Sequence, residues 1–350
     1  MNYEFLDESR YDELDAFLQK NENAQIYQAP IWLKMRPGQP HEFLVVRGAD
    51  GAIRGSMSIF LYKKYGKVML FCPRGPVFDH DDLETFRELM RGAFALGKKL
   101  HAYGLRIDPT VLRTNRAFAD EVKRLGGSVL FVPDREIDTS PSHVVYTLSL
   151  KDRTIDEIFA SFDSGYRYKI RRSAKRDTVL KVGGREELPE FHRLLVQTTQ
   201  RQKFNGQPLS YFQKLFDVLD ARNVHLLLAY LDGELIAGAL LLCYGTTAIY
   251  LYGASSEHHR EAMPNHLIQW NMIKWAKEQG FDTYSFGGIP GYLDENNPAY
   301  GIYRFKKGFN GEIVEYIGEI NFALRPVAYA VRETLVPKLR ELRNKLQGRT

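Results

Sequence analysis

Two stretches of this chain repeat one order of elements, and that order is what most narrows the fold. HEFLVVRGADGAIRGSMSIFLY (41–62) and VHLLLAYLDGELIAGALLLCYG (224–245) each read as a β-rich run, an Asp-Gly turn (Asp50-Gly51, Asp232-Gly233) and a second β-rich run entered through a glycine, Gly55 or Gly238. Each is followed by a third strand, KVMLFCP (67–73) or TAIYLYG (247–253), then a helical stretch, LETFRELMRGAFALGKKL (83–100) or HLIQWNMIKWAKEQG (266–280), then a closing strand, YGLRIDP (103–109) or FDTYSFGGIP (281–290). In the second helix Leu267, Trp270 and Ile273 form an apolar stripe backed by Lys274 and Lys277, and Gly280 is placed as its stop. The glycine spacing differs by one residue between the copies. Agreement of all five elements predicts a duplicated α/β unit with its join near HVVYTLSL (143–150).

The 350 residues suffice for two domains of common size, and 44% hydrophobic with 26% charged residues is ordinary for a soluble globular chain. A formal charge of +5 does not by itself announce a nucleic-acid binder, so its distribution matters more than its total. It concentrates in YRYKIRRSAKR (166–176), six basic residues in eleven with no acid. At helical spacing Arg167, Arg171 and Lys175 align, with Lys169, Arg172 and Arg176 beside them. Such a ridge can neutralise phosphates while Tyr166 or Tyr168 stacks on a base or sugar; a solvated helix face is the plain alternative. The segment VPKLRELRNKLQGRT (336–350) is also basic and amphipathic, reading as a surface helix with anionic membrane contact as the minor alternative. Cys72 and Cys243 have no partner at a metal-ligand or redox spacing, which suits a reducing cytoplasm. The acidic start MNYEFLDESRYDELDAF is unlike a signal peptide, and the most apolar run is cut by Asp232, Gly233 and Glu234, so neither secretion nor a membrane span is expected.

GIYRFKKGFNGEIVEYIGEI (301–320) reads as two strands around a glycine turn, with Tyr303 and Phe305 before adjacent lysines and Phe309 after them. On a strand Lys306 and Lys307 face opposite ways. Taken alone, either would be a surface lysine on a strand edge.

Three segments resemble the Fem aminoacyltransferases, bacterial enzymes that add amino acids from aminoacyl-tRNA to the stem peptide of peptidoglycan precursors. They are FCPRGPVFD (71–79) with YGLRIDP; VVYTLSL leading into GYRYKIRRSAKR; and YSFGGIPG followed by GIYRFKKGFNGEIVEYIGEI. They occur in the family's order and spread from about Tyr27 to about Ile320. The resemblance implies an α/β (α+β) chain of two tandem GNAT-like domains, each a mixed, mostly antiparallel sheet flanked by helices. Domain 1 would be residues 1–147 completed by 318–350, whose C-terminal helix folds back onto it. Domain 2 would be 148–317, carrying the basic helix and the FKKGF segment. This chain is similar to the shorter members, which lack a coiled-coil insertion.

The resemblance also assigns roles. Phe305 and Lys306 match the family's reactive pair, with Lys306 stabilising the oxyanion formed when an amine attacks the aminoacyl ester. Asp108, in RIDP, matches a position implicated in catalysis and is the candidate proton acceptor; an Asp-Pro strand exit is the routine alternative. Lys34, Tyr211 and Tyr252 match positions that hold the nucleotide-sugar or peptide, with Gln207 standing where shorter members often have arginine. A neutral amide cannot pair with a diphosphate as a guanidinium does, which puts a UDP-linked acceptor in doubt and leaves a lipid-linked one open. Trp32 and Tyr252 also read as cleft-wall aromatics, and Arg74 as closing a turn. The basic ridge (Arg167, Lys169, Arg171, Arg172, Lys175, Arg176) is the implied tRNA surface. The implied partners are aminoacyl-tRNA and a muropeptide precursor, with no metal and no coenzyme A, in the cytoplasm or at the inner membrane face. The competing readings are an acyl-CoA-dependent GNAT transferase and a non-catalytic peptide- or RNA-binding tandem. The first is disfavoured because GASSEHHREAMPNHL has no glycine between Gly253 and the helix to cradle a pyrophosphate. His258-His259 with Glu257 reads as a polar turn rather than a metal site.

Overall fold

The computed structural model describes residues 1–64, 66–133, 142–202 and 206–335. The first half runs β1 (Asn2–Phe5), α1 (Tyr11–Lys20), β2 (His41–Arg47), β3 (Ile53–Lys64), β4 (Lys67–Cys72), β5 (Val77–Phe78), α2 (Leu83–Lys99), β6 (Gly104–Ile107), α3 (Arg116–Arg124) and β7 (Ser128–Leu130). The second runs β8 (Val144–Ser149), α4 (Ile155–Ser161), α5 (Ser164–Ala174), β9 (Val179–Gly183), α6 (Leu188–Gln202), α7 (Leu209–Val218), β10 (Val224–Leu231), β11 (Glu234–Tyr244), β12 (Thr247–Ser255), α8 (Pro264–Glu278), β13 (Thr283–Gly288), α9 (Tyr300–Lys307) and β14 (Glu312–Glu315). The chain closes with β15 (Glu319–Phe322) and α10 (Pro326–Ala330).

Two mixed sheets result, and they match position for position. The first has the order β1-β2-β3-β4-β6-β15-β7, with β5 paired to β3; the second, read from its far edge, has β9-β10-β11-β12-β13-β8-β14. In both, the fourth and fifth strands are parallel (β4 with β6, β12 with β13) and every other neighbour is antiparallel. The duplication expected from the sequence is therefore present in the pairing. The sixth strands are exchanged: β8, which follows β7, enters the second sheet, and β15, which follows β14, returns to the first. Chain 319–335 also packs on the first half, where Arg325 N–H donates to the Tyr103 carbonyl (3.0 Å) and the Tyr103 hydroxyl donates to Glu333 (2.9 Å). The basic segment 336–350 lies outside the described residues.

The one-residue difference in glycine spacing has a physical meaning. A Cβ on Gly55 would stand 2.6 Å from Thr85 of α2, whereas one on Gly238 would stand 2.7 Å from Phe191 of α6. Helices press on opposite faces of the two hairpins, and a shift of one residue along a strand exchanges its faces. Alternation along the central strands also explains their near-continuous apolar sequence. Phe43 and Val45 of β2, with Leu240 and Leu242 of β11, point into a core shared by both halves. Leu44 and Val46 point instead into a core under α2 and α3, and Leu241 and Cys243 into one under α8. Gly280 ends α8 as expected, at φ +82°, with Phe281 N–H donating back to the Ala276 carbonyl (3.0 Å).

Across the shared core the buried Tyr244 hydroxyl donates to Asp15 of α1 at 2.6 Å. Tyr244→Phe is expected to lower the unfolding free energy by about 1 to 2 kcal/mol, read as a lower urea midpoint at unchanged m-value.

Candidate active site

The segment expected as a hairpin around Lys306 is instead a helix followed by a strand. Tyr300 and Tyr303 (ring centroids 5.6 Å apart) and Phe305 and Phe309 (5.6 Å) meet at helical spacings, which a strand would separate. Lys306 and Lys307 are thus one helical step apart rather than on opposite faces. Lys306 is 6% exposed, while Lys307 is exposed with Nζ 5.9 Å from the Tyr303 ring. Buried Tyr146 fixes the helix end, its hydroxyl reaching the carbonyls of Gly311 (2.9 Å) and Lys307 (3.3 Å). Asn310, at φ +53°, then turns the chain into β14.

Lys306 Nζ donates to the Gly288 carbonyl at 2.7 Å. Parallel pairing of β12 with β13 runs only from Thr247↔Thr283 to Ile249↔Ser285, so Gly288 lies beyond it, where the two strands part. Such carboxyl-end openings of adjacent parallel strands are where α/β sheets place ligands. Burial pushes the Lys306 ammonium down to about 7, and no carboxylate among the described residues offsets the lost hydration.

Phe305 is half-buried against His266 (5.3 Å), Phe309 (5.6 Å) and Tyr166 (6.2 Å). Tyr166 also packs on His266 (4.8 Å) and covers Gly308, where a Cβ would sit 2.2 Å from its ring. Of the two tyrosines expected to be free for stacking, Tyr166 is therefore used inside the protein, and only Tyr168, 60% exposed, faces solvent. Burial holds the His266 imidazole near 4, neutral at physiological pH.

The expected basic helix forms as α5, but not all its cations are at liberty. Arg167 donates to the carbonyls of Ala160 and Phe162, ending α4; Arg171 lies over Phe159 (5.2 Å) and Lys169 over Tyr166 (5.0 Å). Arg176 stands 3.9 Å from Glu261. Arg172 and Lys175 are exposed, with no ion pair among the described residues.

Asp108 follows β6, at the corresponding opening of the first sheet. It is 1% exposed; its N–H is shared by the carbonyls of Cys72 and Gly75 (both 3.2 Å). Its Oδ1 lies 3.8 Å from Arg74 Nη1 and 3.6 Å from His143 Nε2. The structure thus places the expected proton acceptor in a buried charge cluster with a guanidinium and an imidazole. The cluster joins Lys306 through Ser142, whose carbonyl accepts from Arg74 Nη2 (2.6 Å) and whose side chain abuts Gly288.

The remaining expected residues line the junction of the halves. Tyr211, at the start of α7, and Tyr252, on β12, meet edge-to-face at 6.4 Å, and Tyr27 joins them from the first half, its ring 4.9 Å from that of buried Trp32. Burial, reinforced by the neighbouring Tyr27 and Tyr252, raises the Tyr211 phenol well above its ordinary value. Lys34 is exposed on the short turn Pro30–Met35, close to Arg36, whose Nη1 donates to the Tyr62 hydroxyl (2.6 Å). Gln207 is exposed, its backbone carbonyl accepting from His192 (3.0 Å). The sequence reading missed Tyr27, Arg36, His266 and His143; each belongs to the site only through contacts distant in sequence, and no local motif marks them.

The model of the FemAB family matches residues 10–235 and 232–336. This chain belongs to the FemAB family. Among its relatives are the lipid II:glycine glycyltransferases of Staphylococcus haemolyticus (strain JCSC1435) and Staphylococcus aureus (strain MRSA252). Both are 27% identical, over 406 and 416 aligned residues respectively, covering 95% of this chain and 96% of each relative. The crystal structure of FemX superposes with a TM-score of 0.86 at 25% identity, over 95% of this chain and all of that one. A tandem GNAT protein from the clavulanic acid pathway shares the fold at 12% identity, with a TM-score of 0.54 over 93% of this chain and 99% of its own. The resemblance and the tandem GNAT-like fold read from the sequence hold for this FemAB protein.

A buried lysine carries a stability cost whose sign is fixed by its titration. Below about pH 7 the folded chain holds an ammonium away from water; between about 7 and the ordinary 10.5 only the unfolded chain keeps the proton, so stability climbs with pH. Lys306→Met is therefore expected to be more stable than the native FemAB chain at pH 6, by on the order of 4 kcal/mol. The gain should shrink steeply by pH 9.5, and urea titrations at the two pH values measure it.

Proposed function

We propose that this FemAB protein is an aminoacyltransferase that moves an amino acid from aminoacyl-tRNA to an amine of the stem peptide of a lipid-linked peptidoglycan precursor, building a bridge or branch. The observation that carries this reading is the buried Lys306 ammonium at the opening of the second sheet, in a chain aligned over 95% of its length with lipid II:glycine glycyltransferases.

The substrate ester is already activated, so positioning and charge stabilisation suffice. The acceptor amine attacks the ester carbonyl; a C–N bond forms, the bond to the ribose oxygen breaks, and the amine proton leaves with that oxygen. Negative charge collects on the carbonyl oxygen between these events. The Lys306 ammonium has three N–H donors, of which Gly288 takes one. A further donor meets the oxyanion, strongly because the site is dry. The tyrosine wall of Tyr27, Tyr211 and Tyr252, with Lys34 and Arg36 at its rim, receives the acceptor. Exposed Arg172 and Lys175, with Tyr168 beside them, receive the tRNA. Exposed Val327 (80%) and Val331 (44%) lead into the basic segment 336–350, which suits contact with an anionic inner membrane face near a lipid-linked substrate. No helix among the described residues is long and apolar enough to cross a membrane. Acyl-CoA is disfavoured by the approach to α8, which has no glycine between Gly253 and the helix to bring backbone N–H groups around a pyrophosphate.

The test is to incubate the protein with mixed charged tRNAs and either lipid-linked or UDP-linked muropeptide and to weigh the products. Mass gain on the lipid-linked acceptor that depends on charged tRNA is expected; acylation from acetyl-CoA alone would contradict the reading. Lys306→Met, still folded, is expected to lose transfer by on the order of a hundred- to a thousandfold. Replacing Arg172 and Lys175 together by serine should weaken charged-tRNA binding and reduce its log–log salt slope by about two, with KM for the muropeptide unchanged.

A further inference from the structure

We propose that Arg74 is a positioning residue for Lys306: its guanidinium clamps the point where the two exchanged strands cross and thereby fixes the Gly288 carbonyl that holds the Lys306 side chain.

The crossing is visible in the backbone. Residues 142–143 lead into β8, and 316–317 lead back to β15. Tyr316 N–H donates to the His143 carbonyl (2.8 Å), Ile317 N–H to Val111 (2.8 Å) and Arg113 N–H to Glu315 (2.9 Å), so both crossings and the chain beyond Asp108 are tied together. Arg74 reaches both crossings. Its Nη2 donates to the Ser142 carbonyl at 2.6 Å, and its guanidinium lies 5.2 Å from the Tyr316 ring centroid. Asp108 supplies the countercharge and also faces His143.

From Ser142 the path to Lys306 is short. The Ser142 hydroxyl donates to the Val144 carbonyl (2.8 Å), which also accepts from Ile289 N–H (3.3 Å). Gly288 stands opposite Val145, so close to Ser142 that a Cβ on Gly288 would be 2.8 Å from the serine Cβ. Displacing Ser142 therefore displaces the carbonyl that accepts from Lys306 Nζ.

Closing a turn does not require what Arg74 costs. The side chain is 3% exposed, its backbone has φ +52°, and Nε and Nη1 find no hydrogen-bond acceptor among the described residues. Left-handed backbone at a non-glycine residue and incompletely matched buried donors each oppose folding. Surroundings that impose both are holding the guanidinium where it can span two separate strands, which the compact lysine ammonium cannot do.

The clamp itself is independent of chemistry; its effect on turnover rests on the role given to Lys306 above. The experiment separates the two. Folded native protein and Arg74→Met are labelled briefly with acetic anhydride, and acetylation of Lys306 and Lys307 is read by peptide mass spectrometry, alongside kcat and KM for both substrates. Lys306 in the native protein should be protected relative to Lys307. In Arg74→Met its labelling should rise severalfold with Lys307 unchanged, and kcat should fall by on the order of a hundredfold with both KM values unchanged. Arg74→Lys is expected to behave as Arg74→Met does, and provides the measurement if the methionine variant does not fold. Unchanged Lys306 labelling in a folded variant overturns the proposal whatever the activity. Raised labelling with full activity would uphold the clamp and remove Lys306 from the mechanism.

Discussion

An ammonium withdrawn from water, with the Gly288 carbonyl as its one hydrogen-bond acceptor among the described residues, is the constraint from which the site follows. Lys306 donates to Gly288 and meets no offsetting carboxylate among the described residues, so its charge is poorly compensated in the resting protein. Poor compensation is useful where negative charge appears only during reaction. A carboxylate partner would hold the ammonium equally well before and after the ester is attacked, contributing nothing to the difference that determines rate. In the proposed mechanism the Gly288 carbonyl leaves the cation's remaining donors and most of its field for the oxyanion.

Holding such a group demands a rigid frame, and the strand exchange supplies it. Each sheet opens where its two parallel strands part, one opening leading to Asp108 and the other to Gly288. In each sheet the next strand, β15 or β8, is reached by crossing from the other half. Neither half completes its own sheet, so the openings are built jointly. The shared core of Phe43, Val45, Leu240 and Leu242 resists relative movement of the halves, while the Arg74, Asp108 and His143 cluster occupies the crossing itself. Aromatic packing then ties α5 to α9: Tyr166 links the basic helix to Phe305, one residue from Lys306. The basic helix and the Lys306 segment thus share one packed unit.

Much of the fold was legible because it is local. Asp-Gly turns, alternating apolar runs and the Gly280 stop each depend on a few neighbouring residues, and their order exposed the duplication. The exchange of β8 and β15 was not legible, since a short apolar strand does not encode which sheet it joins. The Lys306 segment was misread because Tyr303, Phe305 and Phe309 suit a strand's aromatic composition as well as a helix's spacing, an ambiguity of short runs. Tyr166 and Tyr168 differ by two positions yet have opposite fates, which only the docking of α5 against α8 and α9 decides. Lys306 itself was found through family resemblance; its burial comes from tertiary packing and left no mark in the sequence. Arg74 looked like a turn residue because the strands it joins lie about 70 and 240 positions away.

The state of that lysine is directly observable. In protein labelled with 13C and 15N on lysine, with the Lys306 signal assigned by its absence from Lys306→Met, a pH titration of the side-chain resonances follows its proton. A midpoint near 7, well below the ordinary lysine value of 10.5, is the result that a dry, poorly compensated ammonium requires. Titration of Lys306 near the ordinary lysine value of 10.5 would show a solvated cation and contradict the account of the site.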